Sequence, residues 1–518
     1  MEFFGLDCRF TRIAAPLPIY CADVEATQWS ALALAVAEAK GRLVSLWGSD
    51  ERASGDGLTV SAAYATADGL LWAKLGLDPQ QPTYPDIARL FAPAIRMQRT
   101  AHDLVGIAPE DADDLRPWLR HGAWPADYFP LRFENTCEEH FEPQADAYPF
   151  VPVEGDGVHE IAVGPVHAGT IEPGHFRFSV VGEKVLRLEE RLGYTHKGIE
   201  RRFMGMDIDQ GARLAGRVSG DSTVAYAWAY AMAAESLAGV QVPERAAWLR
   251  ALLLERERVA NHLGDLGALG NDAAFGFALA QFSRLREDWL RANRDAFGHR
   301  LLMDCIRPGG VAQDLDGPAA ARLRVQIADI TREVTELKDI YDEHAGLQDR
   351  LVTTGRVTAE LATKLGLTGL AGRASGLSAD LRADFPWPPY DKLGVTACVH
   401  RNGDVAARVA MRFEECFASL RLIDTLLLTL ITKPPAGPIH TPIAVSREGV
   451  GAGWIEGWRG EIFVALETSA QGRVARCHCH DPSWQNWPVL EHAIIGNIVP
   501  DFPLINKSFN LSYSGQDL

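Results

Sequence analysis

An acidic stretch rich in Pro and Gly, TCEEHFEPQADAYPFVPVEGDGV at 136–158, divides the sequence into two parts of unlike character. A run of this kind holds neither helical nor strand periodicity and reads as a linker. Ahead of it, residues 1–135 read as one small α/β domain. There SALALAVAEAK at 30–40 spaces its apolar residues as a helix does, and VSLWGSDE and LTVSAAYATADGLLWAKL read as strands joined by polar turns. Behind the linker, 159–518 is mainly helical, with helical periods near 196–237, 243–266, 272–302, 315–346, 355–365 and 403–433. Two hairpin patterns interrupt them, FRFSVV-GEK-VLRLEE and EIFVALETSAQGRVARCHCH. The fold class expected is therefore α+β: a small N-terminal α/β domain, then a mainly helical domain with two small β-hairpin regions.

Charge removes several functional classes. The formal net charge of the 518 residues is −17, and no Lys/Arg-rich run is present. A nucleic-acid or anionic-lipid surface needs clustered positive charge, so neither is an expected direct partner. The N-terminal MEFFGLDCRFTR lacks the pattern of a signal peptide, and no apolar run reaches the length of a membrane span. The nearest candidate, ASLRLIDTLLLTLIT at 418–432, carries Arg421 and Asp424 and reads as a buried helix. The eight cysteines are scattered and form no Cys-x-x-Cys pair, which suits a reducing compartment better than a disulfide scaffold. Cys477-His478-Cys479-His480 has the composition of a metal box, but on a strand its side chains alternate faces, leaving two ligands a side.

The most specific runs are Gly164-Pro165-Val166-His167, Glu172-Pro173-Gly174-His175-Phe176-Arg177-Phe178 and Gly193-Tyr194-Thr195-His196-Lys197-Gly198-Ile199-Glu200. Further ones are Glu255, Arg258 and His262 in LLERERVANHL, Arg307-Pro308-Gly309-Gly310-Val311, Ala374-Ser375-Gly376 with Asp380 and Arg382, and Gly403-Asp404 with Arg408 and Arg412. Arg459-Gly460-Glu461 and Asp481-Pro482-Ser483 close the series. Together they resemble the large subunit of group 4 membrane-bound nickel–iron hydrogenases, of the hydrogenase-4 and formate hydrogenlyase type, and the 49-kDa-type subunit of complex I. Tyr84-Pro85-Asp86-Ile87 and Arg99-Thr100-Ala101-His102-Asp103-Leu104-Val105-Gly106-Ile107 resemble the 30-kDa-type complex I subunit, which is often fused ahead of it.

The departures from that family are as informative. A nickel–iron centre needs four thiolates, supplied as two Cys-x-x-Cys pairs. The matching runs here are Arg217-Val218-Ser219-Gly220-Asp221-Ser222 and Ser512-Tyr513-Ser514-Gly515, so Ser219, Ser222, Ser512 and Gly515 stand at the four positions and no nickel–iron centre is expected. The complex I branch lost these cysteines too and uses the cavity for quinone, through a Tyr and a His. The Tyr run aligns with Ser219 and Gly220, and Pro173 aligns near the His, which His175 reaches only by a register shift.

The resemblance implies roles for particular residues. Glu172 matches a carboxylate beside the metal cavity that passes protons, a role that needs a pKa raised by burial; capping its turn is the plainer role. His167 reads either as a proton donor or as a pin between hairpin and backbone. His175, Arg217, Ser219 and Arg459 are the candidate cofactor-binding residues, Arg459 matching the Arg that faces the cavity. Tyr226, Trp228 and Tyr230 read as core. The implied function is an oxidoreductase subunit of a membrane-associated respiratory complex, of the NADH-quinone oxidoreductase or hydrogenase-4 kind. It would be peripheral on the cytoplasmic face, packed on an iron–sulfur small subunit that holds all the clusters and seated on proton-pumping membrane subunits, with a quinone-type acceptor in the old metal cavity. The alternative is a non-redox scaffold that couples a partner's chemistry to those membrane subunits.

Overall fold

A computed structural model describes every residue except 53, 54, 56, 146 and 170. The chain is α+β. Its N-terminal part is a sheet ordered β1-β2-β5-β4-β3, from β1 (Thr11–Arg12), β2 (Ile19–Val24), β3 (Arg42–Asp50), β4 (Leu58–Thr66) and β5 (Gly69–Leu77). Only the β2–β5 pair is parallel, because α1 (Ala26–Glu38) intervenes; the others are antiparallel neighbours. A short parallel pair, β6 (Thr83–Tyr84) and β7 (Ala108–Pro109), brackets α2 (Ala94–Val105). From 110 to 157 the described residues form no helix or strand.

The next sheet is β8 (Val158–Val163), β9 (His175–Val181) and β10 (Lys184–Arg191), in the order β10-β9-β8. The first expected hairpin is thus its β9–β10 pair with a third strand added. The single helical stretch expected at 196–237 is instead α3 (Ile199–Phe203), α4 (Ile208–Ala215) and α5 (Thr223–Ala238), because Gly198 and Gly205 take the left-handed φ values 63 and 80 and turn the chain. Then follow α6 (Glu244–Asp272), α7 (Gly276–Phe297), the ribbon β11 (Ile306–Arg307) and β12 (Gly310–Val311), and α8 (Gly317–Glu343). Short helices α9 (Ala345–Leu351), α10 (Ala359–Lys364), α11 (Gly369–Ala374) and α12 (Leu381–Asp384) lead to α13 (Val405–Thr432). The chain closes with β13 (Gly449–Glu456), β14 (Glu461–Thr468), β15 (Val474–His480), α14 (Ser483–Ala493), α15 (Phe502–Phe509) and α16 (Tyr513–Asp517).

Helix α6 lies at the centre, packed on α7 and α13, and α13 also packs on α8. Asp404 starts α13 by accepting the Ala407 N–H at 2.8 Å, and Asp316 starts α8 by accepting the Ala319 N–H at 2.6 Å. Ile423, Leu426, Leu427 and Leu430 of α13 are buried, as the 418–432 reading requires. Among the described residues no helix is long and apolar enough to cross a membrane. Helix α5 is buried along almost its whole length, with Tyr226, Trp228 and Tyr230 in the core, and lies directly on β13. A Cβ at Gly453 would sit 1.9 Å from the Ala229 carbonyl oxygen, and one at Gly451 2.2 Å from that of Ala233, so glycine alone permits this approach.

The N-terminal sheet docks on the C-terminal one through β3 and β15. His478 stacks on Trp47 with ring centroids 4.5 Å apart. Its Nδ1 meets Glu200 Oε1 at 2.7 Å and its Nε2 meets the Ser45 hydroxyl at 2.7 Å. Burial lowers the His478 pKa against the pull of Glu200, so the ring is neutral, donating to Glu200 and accepting from Ser45. Strand alternation puts Cys477 and Cys479 on the opposite face, as expected for the Cys-His-Cys-His run. Lys74 to Glu467 at 3.2 Å and Arg42 to Glu461 at 2.9 Å add to the joint. Ser45→Ala leaves a buried acceptor without a donor, and should lower the unfolding free energy of the full chain by about 1–2 kcal/mol. Chemical denaturation measures it, and an unchanged midpoint would show that the Ser45 contact carries no load.

Candidate functional site

Three irregular segments converge beside α6: the 217–222 loop ahead of α5, the turn 456–461 between β13 and β14, and the loop 510–512 between α15 and α16. Asn510, at φ 48, ends α15 and turns the chain back. Ser219, Ser222 and Ser512 are all buried there. Ser219 Oγ lies 3.0 Å from Ser512 Oγ and donates to Asp221 Oδ1 at 2.6 Å. With the Ser219 proton committed to Asp221, Ser512 donates in the serine pair while accepting the Gly515 N–H at 2.8 Å. Sequence positions almost 300 residues apart are thus in direct contact.

Arg459 points into the same place and is already engaged. It grips Asp221 through both terminal guanidinium nitrogens, at 2.9 and 2.5 Å, and its Nε donates to the Asn510 carbonyl at 2.5 Å. Its guanidinium lies 4.0 Å from the Trp458 ring centre, and the Trp458 indole N–H reaches the Asp221 carbonyl at 3.0 Å and Ser222 Oγ at 3.1 Å. Burial pushes the Asp221 carboxyl up, but Arg459 outweighs it and holds the group at about 2. Behind the serines, Glu257 on α6 accepts the Val224 N–H at 2.6 Å and the Ala225 N–H at 3.2 Å, and burial pushes its pKa up to about 8. Asp481 accepts the Tyr226 hydroxyl at 2.7 Å and the Ser483 N–H at 2.8 Å.

These residues do not fit a nickel–iron centre. Hydroxyls replace three of the four thiolates, and a hydroxyl is too weakly acidic to serve as a bridging anion. The fourth position lacks room as well as a ligand: a Cβ on Gly515 would lie 2.4 Å from Asp481 Oδ2 and 2.9 Å from Ser512 Oγ.

The other candidates from the sequence are scattered. Arg217 is exposed and paired with Asp304 at 2.7 Å, so it faces solvent and not the serines. His167 is half-buried, and its Nε2 donates to the Gly174 carbonyl at 3.0 Å, the backbone pin of the two readings. Glu172 is exposed. His175 is buried, but lies against Phe150 with centroids 5.2 Å apart, in a groove shared with Tyr148, Tyr194, Arg177 and Arg191, and not among the serines. Of the six candidates, Ser219 and Arg459 share Asp221 as partner, and His167 and His175 share the turn between Gly164 and Gly174. Sequence reading missed Asp221, Asp481 and Glu257. Asp221 carried a usable signal: a carboxylate between two positions expected to be buried demands a cation, and Arg459 was the cation already assigned to that place.

Comparison with known proteins gives the family. The family model of the respiratory-chain NADH dehydrogenase 49 Kd subunit matches residues 272–447, and that of the 30 Kd subunit matches 22–140. Formate hydrogenlyase subunit 5 of Escherichia coli (strain K12) is 31% identical over 486 residues, covering 92% of this chain and 85% of the relative. The fused C/D polypeptide of the NADH-quinone oxidoreductase of Bacteroides thetaiotaomicron is 28% identical over 423 residues, 77% of this chain and 79% of the relative. Among solved structures, a chain of the archaeal membrane-bound sulfane sulfur reductase, a respiratory membrane complex, superposes with a TM-score of 0.66 at 25% identity, covering 71% of this chain and 100% of that one. An α/β module fused to a helical body in which Ser219 and Ser512 meet across nearly 300 residues defines a hydrogenase-like large subunit. The chain belongs to the group 4 hydrogenase large-subunit family, which it shares with the complex I 49-kDa-type subunits. The relatives cited are a formate hydrogenlyase subunit, an NADH-quinone oxidoreductase subunit and a chain of an archaeal respiratory membrane complex.

Proposed function

We propose that this chain is the hydrogenase-like large subunit of a membrane-bound respiratory oxidoreductase, and that its former metal position works as a closed ion-pair joint. The observation that carries the reading is the Asp221–Arg459 pair lying over the Ser219–Ser512 contact, where the family's thiolates would stand. A side chain that faced the reacting centre is here neutralised by a carboxylate from the degenerate cysteine run itself. Such a joint transmits position and charge between subunits without holding a metal. The partners this implies are an iron–sulfur subunit and proton-pumping membrane subunits, with the chain peripheral on their cytoplasmic face. The purified complex should contain no stoichiometric nickel and neither take up nor evolve hydrogen. Elemental analysis at one nickel per chain would overturn the reading.

A second reading, reduction of a quinone-type acceptor, is favoured by one observation away from the serines. His175 Nδ1 faces the Gly164 carbonyl at 3.0 Å and must donate to it. Burial lowers the His175 pKa, so the ring is neutral and Nε2, buried and without a hydrogen-bond partner, is an acceptor. An acceptor nitrogen among aromatic rings suits the hydroxyl of a reduced quinone. Quinone-dependent oxidation by the purified complex that fails in His175→Phe would establish this second reading; its absence in the unaltered complex leaves the joint alone.

A further inference from the structure

The ion contacts around α6 include a set that closes on itself. Arg258 lies 3.5 Å from Glu255 and 3.6 Å from Glu415, and His262 Nε2 lies 3.3 Å from Glu415. Arg373 reaches Glu415 at 2.8 Å, Glu456 at 2.9 Å and Asp380 at 3.8 Å. Arg382 reaches Asp380 at 2.7 Å and Glu255 at 3.1 Å. The set holds three guanidiniums, four carboxylates and one imidazole, and every member is at most 5% exposed. Three positive and four negative charges leave one negative charge uncompensated in the core, where a bare charge is strongly disfavoured.

Among the described residues no other cation is ion-paired with the set. Along the same two helices Arg412 is matched by Asp265 at 2.8 Å, while the buried Arg256 and Arg408 spend their N–H groups elsewhere, Arg256 on Asn293, Gln326 and the Trp289 carbonyl, Arg408 on Ser508 and the Gly403 and Gly355 carbonyls. Lys507, part-exposed, is on Asp265 and not on the set. From the N-terminal sheet, Arg42 is matched by Glu461. Tyr390 and Ser419 donate hydroxyls to Glu255 at 2.7 and 2.6 Å, adding no charge. His262 is wholly buried, and both its nitrogens lack a hydrogen-bond partner, as does Glu415 Oε2.

We propose that this buried set is a one-proton store, with the proton on Glu456 at the start of the turn that carries Arg459. Glu456 faces Asp380 across Arg373, and of the four carboxylates it has the fewest ion-pair partners, Arg373 alone at 2.9 Å; its other contact is the Leu381 N–H at 3.3 Å. Burial, then Asp380, raise its pKa, whereas those of Glu255 and Glu415 are lowered against burial by their arginines, and burial lowers that of His262. The store adjoins the joint, because Arg258 donates to the Glu456 carbonyl at 2.9 Å and the Gly457 carbonyl at 3.1 Å. A proton entering or leaving is therefore felt in the backbone that positions Arg459.

The test uses the full chain. A folded-state pKa raised above the unfolded value gives stability that is present at low pH and lost as pH rises through the folded value. Glu456→Gln mimics the protonated acid and does not titrate. Its melting temperature should therefore equal or exceed that of the unaltered chain, with the advantage growing as pH rises above the ordinary 4.5 of a glutamate carboxyl. The infrared carboxylic-acid C=O band that persists in the unaltered chain at neutral pH should lose intensity in the same variant. Glu456→Gln that fails to fold, that melts below the unaltered chain across this rise in pH, or that keeps the whole band would overturn the proposal.

Discussion

Asp221→Ala is expected to lower the unfolding free energy by about 3 kcal/mol, because it strands the Arg459 guanidinium in the core. The reverse change should cost less. The Arg459 side chain is 6% exposed and that of Asp221 35%, so water hydrates the carboxylate left by Arg459→Ala more fully than the guanidinium left by Asp221→Ala. The pair also sets an acid limit. Asp221 titrates at about 2 in the folded chain against an ordinary 3.8. For a depressed carboxyl the stabilisation is complete above the unfolded value and disappears as pH falls through the folded one. The unaltered chain should therefore lose this contribution between about pH 4 and about pH 2, while Asp221→Asn, with nothing to titrate, shows a flatter acid limb. Equal losses for Asp221→Ala and Arg459→Ala would mean that both groups are hydrated and that the joint is not closed.

Much of the fold was legible because its long elements obey simple periods. Helices α6, α7, α8 and α13 lie within a few residues of the stretches that periodicity marks, and β9–β10 and β14–β15 are the two hairpins expected. Among the strands that escaped, two did so for opposite reasons. β13, GVGAGWIE, looks like a loop because its glycines serve the contact with α5, a requirement set by a helix more than 200 residues earlier. β8 follows directly on the acidic coil and has an exposed, irregular burial pattern, so no alternation marks it. The helix break at Gly198 and Gly205 depends on left-handed glycines, which a helical apolar pattern does not reveal.

The site divided along the same line. Ser219 and Ser512 could be placed because the runs around them resemble a family whose cysteines must converge, and they do, at 3.0 Å. Glu172 and Arg217 sit in loops, where exposure follows from neighbours distant in sequence and leaves no periodic trace. The runs that hold them mark both as cavity residues, and both face solvent. The buried proton store needed a count of charges brought together from α6, α11, α12, α13 and β13, which only the folded chain supplies.

Gly515→Cys is expected to destabilise the chain by about 3 kcal/mol, and the fourfold change to cysteine at 219, 222, 512 and 515 is expected to bind no nickel. The Ser→Cys changes alter size little. The crowding arises at 515, where Gly is helical with ordinary backbone angles, so the objection is one of space alone. Its Cβ would meet Asp481 Oδ2 at 2.4 Å, and Asp481 cannot swing away without giving up the Tyr226 hydroxyl and the Ser483 N–H. Asp481→Ala removes the obstacle, at the cost of leaving the Tyr226 hydroxyl unpaired. Combined with Gly515→Cys, it should therefore cost less than the two single changes added together, by about 1–2 kcal/mol in a double-mutant cycle. The position that the resemblance gives the fourth thiolate lacks space as well as a ligand, so adding the ligands alone does not make a centre. A Gly515→Cys chain as stable as the unaltered one, or a fourfold variant that takes up nickel at one per chain with Asp481 in place, would show that the position is still open.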